Sequence, residues 1–315
     1  MEYNKWVADL EVGDEIEGFY ILKTAQIKTS NSGKPFLAAA VADRSGVIDA
    51  KVWDYGGPLG AQDEGGVVKL RGSVSEYRGT LQLIISRIRP AQEDDHYTLS
   101  ELVPAAPMDA DAGWQKLLEL AEGIQDKDYQ ALCRTVLGRN EKRFRMLPGG
   151  KSMHHSFLNG LLMHTLYMAR IADYLAGLYG EVVNRDLLLA GTILHDVAKC
   201  DEFVTSPLGL VTEYSVPGEL LGHLVMGAQA VAEAARELGV PEQKSLLLQH
   251  MLLSHHGDPE FGAAVRPMCA EAELLSLIDL VDSRMEIYKE TMEETEPGRF
   301  SKRVFALDKK IFRHQ

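Results

Sequence analysis

The sequence predicts an α+β chain of two domains, a small N-terminal β-barrel followed by an all-α domain. Its 315 residues exceed the roughly 250–300 at which single hydrophobic cores stop growing. The first ninety residues are short apolar runs cut by turn signals, with no helical period long enough for an α/β unit. From Trp114 onward the apolar residues recur at helical spacing.

Strands are expected at 19–29 (FYILKTAQIKT), 36–43 (FLAAAVAD), 46–54 (GVIDAKVWD), 65–77 (GGVVKLRGSVSEY) and 80–89 (TLQLIISRIR), each rich in Val, Ile or aromatics. Turn residues separate them: Asn31-Ser32-Gly33-Lys34, Asp43-Arg44-Ser45-Gly46 and Arg78-Gly79. Five strands this close together suggest a barrel or sandwich. Residues 91–113 are acidic, contain Pro104 and Pro107, and read as a linker or docking segment. Helices are expected near 114–138, 155–179, 185–199, 219–238, 242–256 and 270–292, with loops at Pro148-Gly149-Gly150 and Ser206-Pro207-Leu208-Gly209. The expected division is a barrel domain over 1–95, a linker and docking helix over 96–150, a helical domain over 151–292 and a basic tail over 293–315.

Hydrophobic content of 45% and charged content of 25% are those of an ordinary soluble globular protein. No apolar run approaches the roughly 20 residues that span a bilayer, and the N-terminus is acidic, so an unsecreted protein without a membrane partner is expected. Cys133, Cys200 and Cys269 are far apart and form no CxxC pair. That argues against a disulfide framework or zinc ribbon and for a reducing cytoplasm. The net charge of −13 has the wrong sign for indiscriminate coating of nucleic acid. Locally the balance differs. Residues 19–90 carry ten Lys/Arg against six acids, and 299–315 six against one. Either patch suits a local grip on a polyanion.

Of ten histidines, eight lie between positions 154 and 256. Several occupy apolar runs: LLMHTLYMA around His164 and LAGTILHDVAK around His195, with SLIDLVD around Asp279. A neutral imidazole is cheap to bury with one hydrogen bond, whereas a carboxylate is costly unless a cation or donors compensate it. Asp196 and Asp279 are therefore the more informative residues. Imidazole and carboxylate together suit divalent transition metals, and a carboxylate with two oxygens can serve two of them. Lys199, three residues after Asp196, shares its helix face and could offer charge to a phosphate or to the aspartate.

His164, His195-Asp196, His223, His255-His256 and Asp279 follow the order H…HD…H…HH…D, which resembles the HD superfamily of metal phosphohydrolases. The segments HHSFLNGLLMHTL, NRDLLLAGTILHDVAK, GELLGHLVMG, LLLSHHGDPEFGAAVRPMCAEAELLSLIDLVDSRM and PGRFSKRVFALD, with GKPFLAAAVADRSGVIDAKVWD in the strands, are similar to the YhaM family. That resemblance implies an OB-fold-like barrel that binds nucleic acid, followed by an HD domain with 3'-5' exoribonuclease activity. It implies that His164, His195, Asp196 and Asp279 hold one metal, and that Asp196, His223, His255 and His256 hold the other. His195, Asp196 and Lys199 would be the catalytic residues. Two divalent ions are expected, Mn2+ first, with Co2+, Fe2+ or Zn2+ as substitutes. Asp282, one turn after Asp279, is weighed as a residue behind the ligands, and His154 and His155 as substrate contacts or helix caps. His250 reads as an ordinary structural histidine.

In the barrel, Phe36, Trp53 and Tyr77 either stack on bases or fill the core, and Lys34, Arg44, Lys51, Arg71 and Arg78 are candidates for phosphate contact. Single-stranded RNA is the leading partner, single-stranded DNA a second, and a homo-oligomer fits helical domains of this kind. Two other readings compete: an HD phosphohydrolase of small or cyclic nucleotides, which would not need the barrel, and a non-catalytic single-strand-binding protein, which would not need an intact ligand set.

Overall fold

The computed structural model describes residues 2–30, 32–92, 94–103, 105–150, 157–206 and 208–315. His154 and His155 lie outside the described residues. The chain divides into two compact units, one of residues 2–105 with 205–209, the other of 106–204 with 210–315.

In the first unit a two-residue strand β1 (Glu2–Tyr3) pairs in parallel with β2 (Glu15–Thr29). Then come β3 (Pro35–Asp43), β4 (Gly46–Trp53), β5 (Val67–Tyr77) and β6 (Thr80–Pro90). The order is β2-β3-β4-β6-β5, and β5 pairs back onto β2, so the sheet closes. Within this closed ring of five strands the pairs are antiparallel except β4 with β6. This closed five-stranded topology is that of an OB-fold barrel.

Closure depends on β2. Its residues Glu15–Ile21 pair with β5 and Ile21–Thr29 with β3, the change of neighbour at Ile21 being followed by a bulge between Leu22 and Thr24. A bulge bends the strand and raises its twist, which lets one strand serve two neighbours around a corner. The tight turns fall where the residues demand them. Tyr77 pairs with Thr80 across Arg78 (φ +54°) and Gly79 (φ +82°), the two positive φ values that a two-residue hairpin requires. Asp43 caps the other two-residue turn, accepting from Ser45 N at 2.7 Å. Inward residues such as Ile16, Leu22, Leu37, Val41, Leu70 and Leu83 fill the barrel. A short helix α1 (Leu99–Leu102) ends this unit.

The second unit is helical: α2 (Ala110–Glu122), α3 (Lys127–Met146), α4 (Gly160–Leu178), α5 (Arg185–Leu194), α6 (Lys199–Glu202), α7 (Val216–Leu238), α8 (Glu242–Ser254) and α9 (Ala270–Glu293). Strands β7 (Phe203–Thr205) and β8 (Val211–Tyr214) pair between α6 and α7, and β9 (Arg299–Val304) pairs with β10 (Lys309–Arg313) at the end. Side-chain caps start several helices. Asp109 accepts from Ala112 N, Asp126 from Asp128 N and Tyr129 N, and Asn184 from Asp186 N and Leu187 N. Trp114, Leu132, Phe144, Leu161, Leu188, Val231, Leu248 and Leu275 join one continuous core. Among the described residues no helix is long and apolar enough to cross a membrane.

Three elements differ from the sequence expectation. The helix expected over 114–138 is two helices, because Asp126 caps a new start after Gly123. The helix expected over 185–199 stops at Leu194, and His195-Asp196 stand in the turn before α6. The basic tail is an ordered hairpin, tied down where Arg313 Nη1 donates to Met292 O and Thr295 O at 2.7 Å each.

Candidate metal centre

Five elements bring the predicted side chains together. His164 comes from α4, His195 and Asp196 from the turn closing α5, and His223 from α7. His255 and His256 come from the turn closing α8, and Asp279 from α9. His164, His195 and Asp196 each offer an atom within 4.8 Å of the others, and so do His223, His255 and His256.

Asp196 joins the two groups. One oxygen, Oδ2, lies 3.3 Å from His195 Nε2 and 3.7 Å from His164 Nε2. The other, Oδ1, lies 3.4 Å from His223 Nε2 and 3.8 Å from His255 Nε2. Asp279 Oδ1 is 3.4 Å from His164 Nε2, on the first side. Lys199 Nζ donates to Asp196 Oδ2 at 2.7 Å and to Gly149 O at 2.8 Å.

Behind four of the five imidazoles stands a partner that orients the ring, and the pattern is the same on both sides. His195 Nδ1 donates to Thr192 O and His255 Nδ1 to Leu252 O, each at 2.8 Å. Both histidines sit at the C-terminal end of a helix, where the last carbonyls lack intrahelical donors. The other ring on each side is held by a carboxylate: His164 Nδ1 by Asp282 Oδ2 at 2.7 Å, and His223 Nδ1 by Glu202 Oε1 at 2.9 Å. In a neutral imidazole the nitrogen bound to an acceptor carries the proton, so in that form all four Nε2 lone pairs point inward.

The inward atoms are therefore nearly all acceptors. His164 Nε2 and His195 Nε2 face each other at 3.3 Å. His223 Nε2 and Asp196 Oδ1 face each other at 3.4 Å, yet both are buried without a hydrogen-bond partner among the described residues, as is His256 Nδ1. Lone pairs this close repel unless cations stand between them. The donor set, imidazole nitrogen and carboxylate oxygen, is what borderline divalent metals take, and the orphaned acceptors fit such ions.

Electrostatics follow the geometry. Burial opposes the charge on Asp196, but Lys199 and His195 outweigh it and hold the carboxyl well below the usual carboxylate range. Burial likewise opposes a charged His195, and Asp196 overrides it, raising that imidazole. Burial, reinforced by His195 and His256, drives His255 well below the ordinary histidine value. Burial and then His223 lower His256.

Glu202 is the residue that sequence reasoning misses. Gly222 (φ +70°) breaks α7, and the freed amide of His223 donates to Glu202 Oε1 at 3.0 Å. Gly218 lets the chain pass: a Cβ there would meet Glu202 O at 2.4 Å. No local signal marks it, since AKCDEFV carries Lys199, Asp201 and Glu202 within four residues. Asp282 is buried and touches His164, behind the inward atoms. His250 stands apart, its Nε2 accepting from Met268 N at 2.9 Å.

On the barrel the aromatic candidates stand outside the core. Phe36 and Trp53 pair at 5.0 Å between centroids, Lys51 Nζ lies over Trp53 and Tyr77 at 5.7 and 4.9 Å, and Arg78 lies 5.3 Å over Tyr77. Trp53 is 49% exposed and Tyr77 53%. Lys34 is near this group, paired with Asp54 at 3.0 Å. Two candidates are elsewhere. Arg44 lies over Trp6 at the far end of β3, and Arg71 is opposite Glu17 and Arg87 on another face.

The chain is similar to known proteins in both units. The family model for the HD domain matches residues 161–284. The 3'-5' exoribonuclease YhaM of Geobacillus sp. (strain WCH70) is 35% identical over 313 residues, covering 98% of this chain and 94% of that protein. The 3'-5' exoribonuclease YhaM of Listeria innocua serovar 6a (strain ATCC BAA-680 / CLIP 11262) is 36% identical over 312 residues, covering 98% and 97%. Among solved structures, the second OB-fold domain of replication protein A from Methanococcus maripaludis, 12% identical, covers 30% of this chain and 100% of its own, with a TM-score of 0.23.

Proposed function

The chain belongs to the family of the 3'-5' exoribonuclease YhaM, and from that membership we propose that it removes nucleotides from the 3' end of single-stranded RNA by hydrolysis at a centre for two divalent cations. An HD domain makes it a metal-dependent hydrolase. One observation carries the finer reading: Asp196 turns one oxygen to His164 and His195 and the other to His223 and His255. A carboxylate shared in this way is what two neighbouring cations need.

His164, His195, Asp196 and Asp279 would hold one ion, and Asp196, His223, His255 and His256 the other, with Mn2+ the first candidate. When bound, such ions neutralise phosphoryl oxygens and acidify water. The chain supplies the rest. Asp282 and Glu202 keep His164 and His223 in the tautomer with Nε2 inward. Lys199 fixes the orientation of Asp196 from the Oδ2 side and provides positive charge beside an attacked phosphate. On the barrel, Phe36, Trp53 and Tyr77 would stack on bases while Lys51, Arg78 and Lys34 meet phosphates. Single-stranded DNA offers the same faces and charges.

The test is a 5'-labelled single strand incubated with the full chain, with and without Mn2+. The expected result is a cation-dependent ladder shortening from the 3' end, with mononucleotides released. Hydrolysis of free or cyclic nucleotides with the strand left intact would overturn the proposal.

A further inference from the structure

The +5 charge of residues 299–315 in a chain of −13 is not used by the metal centre or by the barrel. In the structure it becomes a hairpin with two unlike faces. The inner face anchors: Ile311 is buried, its amide donates to Ser301 Oγ at 2.9 Å, and Arg313 reaches the carbonyls that end α9. The outer face follows from the register. Phe300 pairs with Phe312, and Arg303 with Lys310.

That outer face is costly for the fold alone. The rings of Phe300 and Phe312 lie 5.0 Å apart and are 67% and 47% exposed, and Phe305 at the hairpin tip is 98% exposed. Like charges directly opposite across a strand pair destabilise it, yet Arg303 faces Lys310 there. Asp308 offsets Arg303 alone. Lys302, Lys309, Lys310 and Arg299 have no acidic partner among the described residues.

We propose that this outer face is a second binding surface for a single nucleic-acid strand, with Phe300 and Phe312 as the stacking platform, Lys310 and Arg303 as phosphate contacts on the same face, and the exposed Lys302, in the bulge beside them, as a third. The inference rests on the strand-hydrolysing reading above and deepens it by adding a grip within the same unit as the metal centre. Two arguments favour a strand over a protein partner. Lysine is depleted in the cores of protein interfaces, whereas here it flanks the aromatic pair. Bases stack on any exposed ring, and neighbouring cations take the backbone, which is the pairing that single-strand platforms use. An anchored hairpin also needs little ordering when it binds.

The experiment uses the full chain and a hydrolysis-resistant, phosphorothioate-linked single-stranded RNA, with affinity measured across a salt series. Phe300→Ala with Phe312→Ala should weaken binding roughly five- to 150-fold, the loss of one stacked base. Lys302→Ala with Lys310→Ala should lower the slope of log affinity against log salt by about 1.4, two phosphate contacts at roughly 0.7 each. Thermal melting checks that both variants fold, and the lysine pair, fully at the surface, serves if the phenylalanine pair does not. Wild-type affinity in the lysine variant overturns the inference while leaving the hydrolytic reading intact. Absence of strand binding in the wild type would instead sink that reading. A drop in sedimentation coefficient in the variants, with affinity unchanged, would assign the face to contact between copies and also overturn the inference.

Discussion

Among the described residues of the barrel unit the buried side chains are apolar, or tyrosines whose hydroxyls are bonded, as Tyr20 Oη is to Lys5 O, and the charged groups, with Trp53 and Tyr77, stand outside. In the helical unit His164, His195, Asp196, Glu202, His255 and Asp282 are buried. The first arrangement is complete once the chain has folded. The second leaves acceptors facing acceptors, so it folds at a cost that only cations remove. A barrel of this kind can offer its chemistry to a ligand without staking its own stability. The helical unit cannot.

The most severe way to break that contrast is Asp196→Ala. It strands the buried Lys199 ammonium, and removing one partner of a buried pair costs about 3–5 kcal/mol. Denaturant unfolding in the presence of chelator should register that loss, and strand hydrolysis should vanish. If both stability and turnover survive, the interior of the helical unit is no cation centre.

A finer cut separates the two halves of the centre. Glu202→Ala should weaken Mn2+ binding by about 10–100-fold, the usual consequence of losing a carboxylate behind a ligating histidine, with Glu202→Gln recovering part of it. Asp282→Ala should do the same to the other ion. Titration calorimetry with the metal alone reads both, and an unchanged isotherm for either variant would show that its histidine needs no support.

On the barrel the expectation reverses. Trp53→Ala should cost about 1–3 kcal/mol of strand binding, while stability stays within about 0.5 kcal/mol, as for surface substitutions generally. Equal losses in both quantities would make Trp53 part of the barrel's structure.

The smallest effect is a pH dependence away from the metal centre. Burial lowers the His250 imidazole below its ordinary value of 6.5, and its Nε2 must stay unprotonated to accept from Met268 N. A depressed folded value means that His250 contributes stability above pH 6.5 and loses it as pH falls through the lowered one. Compared with His250→Gln, the wild type should lose stability on acidification below pH 6.5. Parallel curves for the two proteins would remove the effect.

Much of this was legible in the residues, and unevenly so. Arg78-Gly79 and Asp43-Arg44-Ser45-Gly46 announce turns because positive φ and Asx bonding are local properties. The H…HD…H…HH…D order survives large gaps because each of its members lies in its own apolar run. By contrast, the composition of β4 could not say whether Trp53 faced in or out. Register decides that, and register is set by β3, where Trp53 meets Phe36. The pattern around LHDVAK reads as helix throughout, but the chain turns at His195 so that Nδ1 can use the carbonyl of Thr192.

By itself, then, the sequence determined the barrel strands, the run of helices and the identities of the side chains that converge inward, since propensity, turn chemistry and apolar periodicity act over a few residues. Only the tertiary structure decided which groups hold those side chains in place, adding Glu202 and giving Asp282, until then a weighed candidate, its partner His164. Glu202 stands 21 residues from His223, and Asp282 stands 118 from His164. No local rule reaches that far: a hydrogen bond is chosen by distance in space, which exists only once the helices have packed.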